Sequence, residues 1–139
     1  MSPGSLEWLR ARSRAALGVL DTSGEVRARI VHDDEMAAAH VRHLDIAGTT
    51  DVLTFDLRDD PDERTLDVDL LICLDEARRQ ASARGHEPER ELLLYIVHGV
   101  LHCLGHDDHD EEDARRMHDL EDRTLEAIGV GVTFERNVG

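Results

Sequence analysis

Residues 89–104, Glu-Arg-Glu-Leu-Leu-Leu-Tyr-Ile-Val-His-Gly-Val-Leu-His-Cys-Leu, constrain this chain more than any other stretch. Wound as a helix, Leu92, Leu93, Leu94, Ile96, Val97, Val100, Leu101 and Leu104 cover nearly every azimuth. A helix that is apolar all round has to be enclosed by other elements, so the chain is expected to build itself around this segment and bury it on all sides. Pro88 suits an early helical position, and Gly105 supplies the stop.

The remaining elements are short and amphipathic. Leu6, Leu9, Ala16 and Leu17 fall near helical spacing within Ser5 to Leu20, which ends at the turn cluster Asp21-Thr22-Ser23-Gly24. Glu25 to Val31 alternates Val26, Ala28 and Ile30 against Glu25, Arg27 and Arg29, the period of a half-buried strand. A helix through Ala37 to Leu44 follows, with Asp33 or Asp34 as its cap. Asp51 to Phe55 reads as a short strand, and Asp59 to Arg64 as a charged loop. Leu66 to Leu74 alternates and then runs apolar, as a central strand does; a polar helix spans Asp75 to Ala83. His106 to Glu112 is a polar turn, and Glu111 to Ile128 is a last amphipathic helix with Met117, Leu120 and Leu125 inward.

A length of 139 residues, with no repeat or linker, predicts one domain spanning 1–139. Aromatic residues are only 3% (Trp8, Phe55, Tyr95, Phe134), so a base-stacking platform is not expected. The net charge of −15, with 16 basic residues that are all arginine, disfavours a general nucleic-acid-coating surface but allows a local basic groove. Arg10, Arg12 and Arg14 sit together near the start against only Glu7. Cys73 and Cys103 are too few for a disulfide framework and read as reduced core thiols. The first twenty residues lack the apolar core of a signal peptide and no run approaches membrane-spanning length, so a cytoplasmic address and no membrane partner are expected.

Five of the nine histidines lie between His98 and His118. His98 and His102 stand at i and i+4 on the apolar helix, so they share one face and both imidazoles reach one cation. A turn at Gly105 brings Asp108 or His109 toward the same point from another direction. Imidazoles on a helix apolar all round need partners for their polar nitrogens, and a metal serves both. Three protein ligands plus water is the composition of a catalytic zinc site, whereas a structural site closes all four positions. Zinc is favoured by two imidazoles and a carboxylate, although nickel, copper or iron accept the same set. The zinc-peptidase motif His-Glu-x-x-His carries its general base directly after the first ligand, and here that position is Gly99.

The segment His-Gly-Val-Leu-His-Cys-Leu-Gly-His-Asp-Asp, residues 98–108, resembles the His-Gly-x-Leu-His-Leu-x-Gly-Tyr-Asp-His motif of the YbeY family of bacterial metal-dependent endoribonucleases. Thr50 to Phe55 is similar to the family's Thr-Asp-Val-Leu-Ser-Phe strand, and Asp69 to Cys73 to its Gly-Asp-Ile-x-Ile-Cys strand, with Val68 for the glycine. The final helix keeps family spacing from Gly105, so the likeness runs over roughly residues 25 to 130. It implies an α+β fold in which a small mixed β-sheet packs with helices around a central buried helix carrying a His-x3-His metal site. It also implies single-strand-specific RNA cleavage in maturation of the 3′ end of small-subunit ribosomal RNA, ribosome quality control, and ribosomal proteins or assembly factors as partners, with no DNA expected.

The departures from the family pattern fall at the site. The family's third ligand is usually a histidine ten residues after the first; Asp108 stands there, with His109 one step later as the alternative. His106 replaces the motif's tyrosine and reads either as a proton shuttle or as a solvated loop residue. Asp107 reads as a second proton-moving candidate, as a residue that orients a ligand, or as part of the acidic turn. Many members carry an activity-supporting arginine where Leu44 stands here, with Arg42 the nearest substitute, and His40 matches a family asparagine.

The expected function is therefore a zinc-dependent endoribonuclease whose single Zn2+ is held by His98, His102 and Asp108. Two rivals stand beside it: a small metallopeptidase, weakened by Gly99, and a ribosome-assembly module in which the metal only fastens the turn to the helix. Between His106 and Glu126 ten acidic residues face three arginines, which repels an RNA backbone. A nuclease is then expected to draw RNA in through the arginine-bearing strand and first helix, or through a partner.

Overall fold

In the computed structural model, which describes residues 1–60, 62–107 and 109–130, the chain forms α1 (Pro3–Val19), β1 (Ser23–Val31), α2 (Asp33–Leu44), β2 (Val52–Asp56), β3 (Thr65–Cys73), α3 (Leu74–Arg84), α4 (Pro88–Cys103) and α5 (Glu111–Ala127). Each expected element is there, with its ends moved by a residue or two. The strands make one mixed sheet in the order β1-β3-β2, with β1 parallel and β2 antiparallel to β3. Five helices packed on this sheet make an α+β fold, as the resemblance implied.

Strand β3 is central because both of its faces find apolar partners. Leu66, Val68, Leu70 and Ile72 point to one side, where they join Leu93, Val97, Leu101, Met117 and Leu125 in the main core. On the other side Cys73, with Val31 and Leu53, packs on Met36 and Ala39 of α2. Cover on both faces is why β3 abandons alternation at Leu70-Leu71-Ile72-Cys73. Toward solvent the β1/β3 register sets Arg27 opposite Asp69, and Arg27 also reaches Asp67 and Glu25.

Helix α4 is buried from Glu91 to Val97 and again from Gly99 to Leu101. Burial on all sides does not hold, however: His98 is half-buried and His102 exposed, so the stripe that carries the histidines is the one neighbouring elements leave uncovered. The helix approaches the sheet closely at Gly99, where a Cβ would lie 2.7 Å from Leu70 Cδ2 and 3.0 Å from Thr54 Oγ1.

The helix ends show one further departure from local reading. Neither Asp33 nor Asp34 caps α2; the cap position is His32, and Asp75 Oδ2 of α3 accepts from Asp33 N–H at 2.8 Å. The Asp33 carboxylate instead takes two 2.8 Å bonds from Arg79, a long-range ion pair that overrides the local cap. At α5 the cap is local, with Asp110 accepting from Asp113 N–H at 2.8 Å. Between α4 and α5, Gly105 adopts φ +99°, a conformation that favours glycine and turns the chain back.

Leu70 meets α4 at its closest approach to the sheet, so Leu70→Ala should cost about 2–5 kcal/mol, as buried Leu→Ala changes do. Urea unfolding measures it; a loss below about 1 kcal/mol would contradict the packing described.

Candidate metal centre

The i, i+4 spacing of His98 and His102 sets them on the open stripe of α4, one turn apart. His98 lines a cavity of about 310 Å³ together with Asp51 at the entrance to β2, Glu76 and Gln80 of α3, and His118 and Glu121 of α5. Its Nδ1 lies 3.2 Å from Glu121 Oε2. A carboxylate only accepts, so the imidazole Nδ1–H donates and Nε2 becomes the ligand-capable nitrogen. Glu121 is 1% exposed, and its Oε1 has no hydrogen-bond partner among the described residues. A neutral imidazole whose second nitrogen is held by a buried carboxylate is the arrangement that metal-ligating histidines adopt. The cavity also has Arg84 and Glu91 in its wall, Glu76 is bonded by Arg79 and Gln80, and His102 is not among the residues that line it.

The C-terminal end of α4 is fixed from the sheet. Arg58, only 6% exposed, donates from Nη2 to Cys103 O at 2.7 Å and to Asp56 Oδ2 at 2.6 Å, and from Nη1 to Glu63 O at 2.8 Å. One guanidinium thus ties the β2–β3 connection to the turn of α4 that bears His102. The Arg58 bonds hold the Asp56 carboxyl below its ordinary value of 3.8. Burial, with Asp56 adding to it, pushes the Cys103 thiol up to about 11, so it is protonated at neutral pH and is no ready thiolate ligand. Cys103 is half-buried and Cys73 fully buried, both free thiols.

The other expected site residues cluster at the turn after Gly105. His106 is exposed and Asp107 half-buried; both line a second cavity of about 450 Å³ with Arg116, Met117 and Arg123, rather than the cavity that His98 lines. His109 is exposed, with Nε2 3.6 Å from Asp107 Oδ2. Asp108 lies outside the described residues. Sequence reasoning missed Glu121 and Arg58. A glutamate within the inward stripe of α5, at i+4 from Met117 and i−4 from Leu125, was the available signal for the first; nothing local marked the second.

A separate trio, Asp33, Cys73 and Asp75, brings possible ligand atoms within 4.8 Å of one another. Its groups already have partners: Asp33 pairs with Arg79, Asp75 meets His32 and Asp33 N–H, and Cys73 Sγ donates to Asp33 Oδ1 at 3.4 Å. Burial pushes the Cys73 thiol up, and the trio sits at the N-termini of α2 and α3, where helix dipoles favour anions over cations.

The profile of the endoribonuclease YbeY family matches residues 7–129. The chain belongs to that family. Among curated relatives, the endoribonuclease YbeY of Frankia alni is 36% identical over 129 residues, covering 84% of this chain and 71% of that protein. The one from Parafrankia is 37% identical over 122 residues, covering 77% of each. The one from Carboxydothermus hydrogenoformans reaches 47% over 81 residues, which cover 58% of this chain and 56% of that protein. In structure, the chain is similar to the solution structure of TM1509 from Thermotoga maritima, with a TM-score of 0.65 and 23% identity over 92% of this chain and 85% of that one.

This YbeY family member differs from the family pattern at positions whose surroundings are now defined. Leu44, at the place of the family arginine, is 54% exposed at the end of α2. His40 Nδ1 lies 2.9 Å from Gly48 O, His43 packs edge-on against Phe55, and Arg42 is exposed. The arginines of β1 are paired with carboxylates at the surface. Arg27 is shared by Glu25, Asp67 and Asp69, of which the Asp67 and Asp69 bonds raise its pKa, and Arg29 pairs with Glu35 at 2.7 Å. Among the described residues no helix is long and apolar enough to cross a membrane.

Two outcomes follow from this geometry. Gly99→Glu should lower the thermal unfolding midpoint sharply, because it drives a carboxylate against Leu70 and Thr54; a variant that melts like the parent would overturn the close approach. Asp56, depressed by Arg58, contributes stability that is fully present above about pH 3.8 and is lost as pH falls through its folded-state value. Urea unfolding of Asp56→Asn beside the parent should therefore show a gap at pH 6 that narrows on acidification, and a constant gap would refute the ion pair's role.

Proposed function

We propose that this chain is a zinc-dependent, single-strand-specific endoribonuclease that acts in ribosomal RNA maturation, including the 3′ end of small-subunit RNA, and in ribosome quality control. Residues 1–139 work as one hydrolase domain in the cytoplasm, on RNA and beside ribosomal proteins or assembly factors, without DNA or membrane partners. The observation that carries the metal is the half-buried His98 held at Nδ1 by Glu121, one helical turn from exposed His102. Membership of the endoribonuclease YbeY family carries the substrate class.

In this reading His98 and His102 bind one Zn2+ as neutral imidazoles, and Asp108 completes the set, with His109 as the alternative. The ion supplies activation of water and polarisation of a phosphodiester oxygen when bound. His106 and Asp107, in the turn that follows α4, take and return the proton that the attacking water loses and the leaving oxygen needs. The exposure of His102 keeps the site open to a polymer rather than to a small enclosed ligand.

A structural-metal assembly module is the second reading, and the charge pattern favours it: α5 is acidic, and Arg27 and Arg29 are paired with carboxylates at the surface. A peptidase is disfavoured because position 99, which faces the sheet at contact distance, is a glycine and supplies no glutamate base.

His98→Ala and His102→Ala should each abolish cleavage of single-stranded RNA and lower bound zinc from about one per chain, while circular dichroism shows a retained fold. Loss of the fold together with the metal would support the assembly module instead. Elemental analysis of Asp108→Ala and His109→Ala should show zinc lost in the first and kept in the second; the reverse result moves the third ligand to His109.

A further inference from the structure

Helix α5 carries a carboxylate in the middle of its apolar stripe. Met117, Glu121 and Leu125 follow one another at four-residue steps, and all three are buried, Glu121 at 1% exposure. Taking a carboxylate out of water is strongly unfavourable unless the charge is paired and its oxygens are bonded. Glu91 of α4, equally buried, meets that requirement: Arg84 binds one oxygen at 2.5 Å and His86 Nε2 the other. Glu121 is met on one side only, by His98 Nδ1 at 3.2 Å, while Oε1 has no partner among the described residues. Oε1 belongs to a residue that lines the cavity of about 310 Å³ beside His98, where a further polar group can meet it.

We propose that Glu121 is the positioning residue of the metal centre. Its Oε2 holds the His98 ring by Nδ1–H, so that Nε2 is presented to the cation, and its negative charge strengthens the imidazole as a donor. The reciprocal effect acts on the oxygen that His98 already meets, Oε2. An imidazole ligated through Nε2 is a far stronger Nδ1–H donor than a bare one, and so supplies the positive counterpart that Arg84 supplies to Glu91. Placement in the fold supports this division of roles: His98 comes from α4 and Glu121 from α5, so the hydrogen bond between them also bridges the two helices at the site. The inference rests on the ligand role proposed for His98 above.

The test uses the full chain with Glu121→Gln, Glu121→Leu and His98→Ala, measuring zinc affinity by chelator competition and the His98 ring nitrogens by 15N NMR in the metal-free protein. The metal-free parent should show His98 protonated at Nδ1. Glu121→Gln, whose amide oxygen still accepts, should keep that tautomer and lose about tenfold in zinc affinity; Glu121→Leu should lose the tautomer preference and about a hundredfold. Glu121→Gln with parental affinity overturns the proposal even where the leucine variant fails to fold, as does a parent protonated at Nε2. His98→Ala that binds zinc as the parent does defeats the ligand reading beneath it, whereas zinc lost in His98→Ala but unchanged in both Glu121 variants defeats the positioning role alone.

Discussion

The enclosure of α4 governs everything else in this molecule. Its apolar surface reaches around most of the helix, so the sheet, α1, α3 and α5 each find a face to cover, and Gly99 lets the sheet approach to contact. What the enclosure leaves open is narrow: the stripe bearing His98 and His102. A helix held on its other sides cannot shift or rotate easily, and that rigidity is what a metal centre built from two of its side chains requires. Arg58 extends the restraint to the helix end by binding Cys103 O from the far side of the β2–β3 connection.

Burial also sorts the carboxylates. Around Glu91, Arg84 and His86 close an ion cluster at the N-terminal half of α4, and there the charges satisfy one another. Around Glu121 the hydrogen-bond partner among the described residues is a single histidine of the open stripe. The same physical cost, a carboxylate removed from water, is compensated by two partners in one place and by one in the other, and the second is where the metal centre is proposed.

The surface charge follows a comparable division. Arginines that look available along β1 are consumed by the cross-strand partners Asp67 and Asp69 and by Glu25 and Glu35. The trio Asp33, Cys73 and Asp75 is likewise taken up by Arg79, His32 and the helix N-termini. An acidic α5 beside the proposed centre is consistent with cation binding and leaves RNA attraction to exposed arginines elsewhere, such as Arg42, or to a partner protein.

Much of this was legible in residue order, because helix and strand periods, turn residues and the i, i+4 histidines are local properties. The central strand at Leu66 to Leu74, the all-round apolar helix, the stop at Gly105 and the His98/His102 pair all follow from spacing along one chain. Other features depend on what lies across a gap in sequence. That Asp75 rather than Asp33 serves the start of α2, that Arg27 is spent on β3, that Gly99 touches Leu70 and that Glu121 holds His98 each join residues about 20 to 45 positions apart. Local pattern assigns a side chain to a face; only the packing of faces decides which partner waits there, since long-range pairing is set by the three-dimensional closure of the core and not by any neighbour in the chain.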